Sequence, residues 1–182
     1  SLGMAGAICI EAINGAADWV TTSFCGKGGN GGWAPLEEVL MASVVVYGLK
    51  KEADTASLAE TARLFSKLTG EFIPPQKAVV GSGIFRCESG IHADGIYKNP
   101  ALYEPYPPEL AGQQREIVIG KHSGAAALLR KLQELDLAGM ETNQVRKVLA
   151  RIREKSVELK RSLDAAEVRE IAEEYGCRRG AG

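Results

Sequence analysis

The sequence predicts an α/β chain that is predominantly helical: helix–strand–helix at the start, a loop-rich middle, and a helical tail. Three observations predict it. Two apolar stretches with helix punctuation, residues 3–14 and 36–47, flank a single β-rich run from Trp19 to Phe24. Six of the seven prolines fall within residues 71–116, where few segments are periodic. Val145, Val148, Leu149, Ile152 and Leu159 then recur at helical spacing. One strand between two helices makes no sheet, so the first 50 residues read as the end of an α/β domain.

The elements follow in chain order. Residues 3–14 are small and apolar, and Gly15 offers a stop. After the run 19–24 comes a glycine-rich loop from Gly26 to Gly32. Pro35 suits a first helical turn, and Glu37 and Glu38 suit the positive end of the dipole of a helix over Leu36 to Tyr47. That helix is apolar nearly all round, which predicts burial. Thr55 to Thr69 forms the next helix, with Asp54 as cap, Gly70 as stop, and Leu58, Ala62, Phe65 and Leu68 near one face. Residues 71–116 read as functional loop or linker. Glu116 to Ile119 reads as a strand, and Ser123 as the cap of a helix reaching Leu135. Asp164 with Glu167 forms a capping box for a last helix that stops at Gly176.

Composition excludes several classes of function. With 22 basic and 23 acidic residues the chain is no strongly basic nucleic-acid binder. Its apolar run at 39–49 is far too short to span a bilayer, and no signal peptide opens it. Four isolated cysteines without a CxxC pair fit a reducing cytoplasm. Two histidines thirty residues apart, His92 and His122, are too few for a zinc site of His and Cys.

Three stretches invite chemistry. Gly26-Lys-Gly-Gly-Asn-Gly31 matches GxGxxG, but no second strand ending in an acidic residue follows, so a close-packed turn or ligand-facing loop is favoured over a nucleotide site. His92 lies in Glu88-Ser-Gly-Ile-His-Ala-Asp-Gly95, with Tyr97, Tyr103 and Tyr106 nearby. Composition alone favours a surface histidine bonded to its loop, while a proton-transfer role remains open because imidazole titrates near neutrality. Gly120-Lys-His-Ser-Gly124 needs no more than a helix cap to explain it.

Three motifs in one order alter the balance: Ala34-Pro-Leu-Glu-Glu-Val-Leu-Met-Ala42, Ser89-Gly-Ile-His-Ala-Asp-Gly-Ile96 and Ile119-Gly-Lys-His-Ser-Gly124, supported by Asn99-Pro-Ala-Leu-Tyr-Glu-Pro105. Together they resemble the carboxyl-terminal part of the homocitrate synthase and 2-isopropylmalate synthase family, from about Leu2 to Tyr175. The resemblance implies the last units of a (β/α)₈ barrel in residues 1–50, with helix 7, strand 8 and helix 8. A linker and lid region in 51–115 and a carboxyl-terminal helical subdomain in 116–182 would follow. It implies an acyltransferase that condenses acetyl-CoA with a 2-oxo acid, homocitrate synthase-like, with 2-isopropylmalate or citramalate synthase as the alternative. A non-catalytic binding or regulatory subunit is the alternative from another class. His92 and Tyr103 match the family's lid histidine and tyrosine, and are the expected catalytic pair.

The departures bear on the metal. A divalent ion (Mg, Mn or Zn) is expected for the complete enzyme but not on this chain alone. The family's HxHND histidines and first-strand ligands precede the matched region. Gly29 and Asn30 stand where the family has Glu-Arg, and Trp33 stands where it has a metal-ligating Asn. No metal or cofactor ligand is therefore assigned here. The expectation is a cytoplasmic protein without nucleic-acid or membrane partners, forming a homo-oligomer or pairing with an amino-terminal barrel subunit.

Overall fold

The computed structural model describes residues 2–48 and 54–179, so the expected boundary at residue 50 lies outside the described residues. The chain forms two compact units, one from Ser1–Phe85 with Tyr106–Gln114, the other from Arg86–Pro105 with Arg115–Gly182. Both units are discontinuous in sequence, and the path crosses between them three times.

In the first unit, α1 (Ala5–Asn14) ends at Gly15 as its sequence predicts, and α2 (Leu36–Val45) follows. Trp19 to Phe24 does not form the expected strand. Only Ser23 makes a bridge, to Pro35, while Trp19 is 92% exposed and Phe24–Gly26 turns as a 3₁₀ helix. Extended backbone needs a neighbour for its N–H and C=O groups, and no strand runs beside it among the described residues.

The α2 helix is shorter and less buried than its composition predicts. Val39 and Met41 are buried, but so are Glu37 and Ser43, and Val46 beyond its end is 70% exposed. Ser43 satisfies itself by donating to the Val39 carbonyl at 2.8 Å. A 3₁₀ turn at Thr55–Ser57 leads into α3 (Leu58–Thr69), with Asp54 accepting the Ala56 N–H and Gly70 left-handed at φ 71°. The buried stripe of α3 is narrower than its spacing suggests, for Leu58 and Ala62 are buried but Leu68 is 75% exposed. Ala111 joins Met41, Leu58, Ala62, Val79 and Val80 in a small core. Gly112, at φ 69°, allows this return, since a Cβ there would lie 1.9 Å from the Ala56 carbonyl oxygen.

The second unit opens with β1 (Arg86–Cys87), which runs parallel to β2 (Glu116–Ile117) in the register Cys87↔Ile117. Between them lies a helix inside the stretch read as loop, α4 (Gly90–Lys98). Two glycines lower its intrinsic propensity and hide it from pattern reading. The helix α5 (Ala125–Glu134) begins one residue later than predicted: Gly124 is its N-cap, and Ser123 bonds elsewhere. A two-residue antiparallel pair that the sequence does not announce, β3 (Leu137–Ala138) and β4 (Arg178–Arg179), precedes α6 and follows α7 in the chain.

Helix α6 (Thr142–Leu159) follows the predicted periodicity, and α7 (Ala165–Glu174) carries the predicted Asp164–Glu167 capping box. A second box, Glu141 with Gln144, starts α6. Leu128, Val148, Ile152 and Val168, all with no exposed surface, centre a continuous apolar core over α5, α6 and α7. At about 25 cal/mol per Å² of apolar surface this is the main stabilising term of the unit. Among the described residues no helix is long and apolar enough to cross a membrane.

Candidate functional site

Helix α4 buries Ala93 and Ile96 and leaves His92 exposed on its other side. Three residues after His92, Gly95 has no side chain to fill the surface beside it. The space is taken by Tyr103: a Cβ on Gly95 would lie 2.3 Å from Tyr103 Cε2. The chain reaches that position through a tight reversal. Asn99 accepts the Ala101 N–H at 3.2 Å, Pro100–Leu102 makes a 3₁₀ turn, and the Tyr103 N–H closes on the Pro100 carbonyl at 3.0 Å. Glu104 is pinned next to it by Arg115, which donates from Nε and Nη2 at 2.6 and 2.5 Å. His92 and Tyr103, eleven residues apart, therefore meet with ring centroids 4.8 Å apart at 54°. Both remain accessible. An imidazole and a phenol side by side can accept and donate protons to one substrate.

The neighbouring tyrosines do other work. Tyr97 donates to Glu134 Oε1 at 2.5 Å beneath the Arg130 guanidinium, which lies 4.5 Å from the ring centroid. Burial and then the Glu134 carboxylate push its phenol up to about 12, so it is a strut between α4 and α5 rather than a proton donor near neutrality. Asp94 binds Lys98 at 2.6 Å and Arg130 at 3.3 Å on the same side. Tyr106 packs edge-on to Phe85 in the first unit, at 5.6 Å between centroids. Of the three tyrosines near His92 in sequence, only Tyr103 comes to it.

The glycine-rich loop is exposed from residue 27 to residue 33, with close packing at Gly26 and Gly28 but open space at Gly29 and Gly31. The Trp33 indole lies against the backbone at Gly28, where a Cβ would come within 2.0 Å of the ring. Lys27 is engaged with Glu71 at 2.6 Å. Glu37 and Glu38 in the first turn of α2 oppose a phosphate at that end. Neither arrangement supports a dinucleotide. Among the described residues no three His, Cys, Asp or Glu side chains converge as a metal site, and the Trp33 indole can only donate. By their donor chemistry these described residues do not fit the family's divalent ion by themselves.

Sequence reasoning passed over two polar centres. Glu37 is fully buried, accepts the Cys25 N–H at 3.0 Å, and has Lys77 Nζ 2.9 Å from its other oxygen, with Lys77 also bonded to Glu38. Burial pulls the Lys77 ammonium down, but bonds to Glu38 and Glu37 more than reverse this and hold it above its usual value. Burial and then the Glu37 charge raise the Cys25 thiol. The other centre surrounds Glu88, whose partners lie 34 and 74 residues away in sequence. No linear pattern announces either.

Residues 79–160 match the family described as "Homocitrate synthase post-HMGL domain-like". The chain is 40% identical over 172 residues to the "Homocitrate synthase, omega subunit" of Clostridium pasteurianum, covering 94% of this chain and 47% of that protein. It is 38% identical over 172 residues to "Homocitrate synthase 1" of a Nostoc species, with 94% and 45% covered. Against the "2-isopropylmalate synthase" of Methanocaldococcus jannaschii it is 43% identical over 143 residues, 78% of this chain and 28% of that one. The chain thus spans less than half the length of these relatives. His92 and Tyr103 both fall inside the matched family region. Over nearly all of its length the chain is thus similar to proteins of the homocitrate synthase and 2-isopropylmalate synthase family, and its residues 79–160 match that family's post-HMGL domain.

Proposed function

We propose that the chain forms the carboxyl-terminal portion of an acyltransferase that condenses acetyl-CoA with a 2-oxo acid, in which His92 and Tyr103 move the protons. The observation that carries this reading is their contact, rings 4.8 Å apart and solvent-accessible on an otherwise fixed helix. Condensation needs one proton removed from the methyl group of the acetyl thioester and one supplied to the oxygen of the former 2-oxo carbonyl. Two adjacent groups, one able to accept and one to donate, suit both demands. The divalent ion of such an enzyme polarises the 2-oxo acid when bound; its ligands come from outside the described residues in this reading.

Homocitrate formation is the favoured reaction because two relatives matched over 94% of this chain carry that name, although a third matched as fully is named "Putative (R)-citramalate synthase CimA". The 43% identity to a 2-isopropylmalate synthase keeps another 2-oxo acid as the alternative. In this reading residues 1–50 end a (β/α)₈ barrel, 51–115 form linker and lid, and 116–182 complete the carboxyl-terminal subdomain. The protein works in the cytoplasm with an amino-terminal barrel partner, and large exposed apolar side chains such as Trp19 and Val46 suit such a partner. Trp33, where the family has a metal-ligating Asn, favours a second reading as a non-catalytic subunit.

The test is CoA release from acetyl-CoA and 2-oxoglutarate by the chain combined with an amino-terminal partner. His92→Ala should lower kcat by about 10²-fold or more, and Tyr103→Phe should lower it as well. Both melts should stay near that of the parent, because both rings are exposed. An unchanged kcat in His92→Ala removes the pair from the mechanism and leaves the non-catalytic reading.

A further inference from the structure

Resting on the reading of His92 and Tyr103 as the proton-transfer pair, we propose that Glu88 is the positioning residue that fixes the entry of α4. The turn from Gly120 to Ser123, together with Ser162, is its receptor. Glu88 stands between β1 and the first turn of α4, four residues before His92. Its Oε1 accepts the His122 N–H at 2.7 Å and its Oε2 accepts the Ser162 hydroxyl at 2.9 Å. Its backbone carbonyl accepts the Ser123 hydroxyl at 3.2 Å. Ser123 is itself fully buried, accepts the Gly120 N–H at 3.0 Å, and has its carbonyl held by Arg153 at 2.8 Å.

Gly120 explains why this turn accommodates a carboxylate. A Cβ there would lie 2.8 Å from Glu88 Cδ and Oε1, so any side chain would push the carboxylate off the turn. The Gly-Lys-His-Ser motif, expected from sequence to cap α5, thus serves instead at the start of another helix, α4.

The arrangement matters because the Glu88 carboxylate adds charged anchors to an entry otherwise held by backbone contacts, Ser123 on the Glu88 carbonyl and the pairing of Cys87 with Ile117. Ser89 makes no side-chain capping bond, and the first turn holds no acidic residue. The far half of the helix is fixed by Tyr97 on Glu134 and Asp94 on Arg130. The near half, which carries His92, is fixed through Glu88. Hydrogen bonds to an ionised carboxylate are about twice as strong as neutral ones, and two of them here tie together three segments of chain. Without them the entry of α4 loosens and the imidazole moves from the Tyr103 ring. A misplacement of about 1 Å at a reacting group can lower turnover by as much as ~10²-fold.

The experiment has two arms. In the first, the through-space cross-peak between the His92 and Tyr103 rings is recorded by NMR on the labelled full chain. Glu88→Ala should lose it while the circular dichroism of α5, α6 and α7 persists, and Ser162→Ala should weaken it. A cross-peak of parental intensity in Glu88→Ala overturns the assignment; if Glu88→Ala does not fold, the same result in Ser162→Ala does so. In the second arm, the enzyme completed by its amino-terminal part should lose ~10- to 100-fold in kcat on Glu88→Ala with KM unchanged. Unchanged kcat alongside a collapse in His92→Ala also overturns it. Failure of the proton-transfer reading looks different: His92→Ala keeps its kcat, whatever the cross-peak in Glu88→Ala does.

Discussion

The core beneath α5, α6 and α7 buries Leu128, Val148, Ile152 and Val168 completely, whereas the first unit has a smaller apolar core and a carboxylate, Glu37, that is just as completely buried. The first is held mainly by apolar contact and capped helices, with polar ties such as Arg153 on the Ser123 carbonyl at its edge. The second buries fewer apolar side chains and leaves Trp19, Leu68 and Phe72 at 92%, 75% and 74% exposure. Apolar packing tolerates approximate geometry, while an ion pair without water fails as soon as one partner goes. The same chain thus combines a region built around a continuous apolar core with one that relies more on a buried ion pair.

The largest effect should come from breaking the ion pair. Lys77→Met keeps the apolar stem but strands the Glu37 charge, and should cost about 3–5 kcal/mol, read as loss of the first unit's transition in chemical denaturation. Replacing Glu37 as well with Gln should recover part of the loss. Next is Ile152→Ala, which opens a cavity in the helical core and should cost about 2–5 kcal/mol in the second unit. If Lys77→Met proves silent, the contrast between the units is wrong.

Smaller effects sharpen the contrast. Gly95→Ala should gain up to about 1 kcal/mol of helix propensity while displacing the Tyr103 ring. The expected outcome is a melt that is unchanged or slightly higher, with the contact between the His92 and Tyr103 rings lost. The mildest effect is with acid. Arg161 bonds Glu167 at 2.8 Å to both oxygens, and this, with the Asp164 N–H, pulls its carboxyl down to about 2. A carboxylate lowered in the folded state stabilises above its unfolded value of about 4.3, and that contribution is lost as pH falls towards 2. The second unit should weaken over that window, and Glu167→Gln should flatten the response in a pH series of melts.

Legibility in the sequence follows the same division. Helices α6 and α7 announce themselves, because their apolar residues repeat at helical spacing and Asp164 with Glu167 spells a capping box. The pairing of His92 with Tyr103 was accessible only through resemblance to a family, because eleven residues of reversal through Asn99 and Pro100 leave no periodic trace. Helix α4 was hidden by its own glycines, one of which is there for the Tyr103 ring. Trp19 to Phe24 misled because β-branched and aromatic residues report a tendency, and the tendency finds no partner strand among the described residues. Ser123 misled in the opposite way: its position suits a cap, but a bond to the Glu88 backbone competes better. Glu88, Glu37 and Lys77 left no local signal, since their meaning lies in residues far along the chain.

The bond between Glu88 and Ser162 spans 74 residues of chain. During synthesis, at about 5–20 residues per second, β1 must wait for β2 and then for the loop before α7 to leave the ribosome. Contacts of such separation also form late in folding, because loop closure precedes their reward. The contact of Glu88 with Ser162, just before the helix that carries His92, therefore forms only after residue 162 has emerged. A nascent chain released before Ser162 can hold helix α4 but lacks the hydroxyl that Glu88 Oε2 accepts from, so a truncated product would carry His92 with that contact missing.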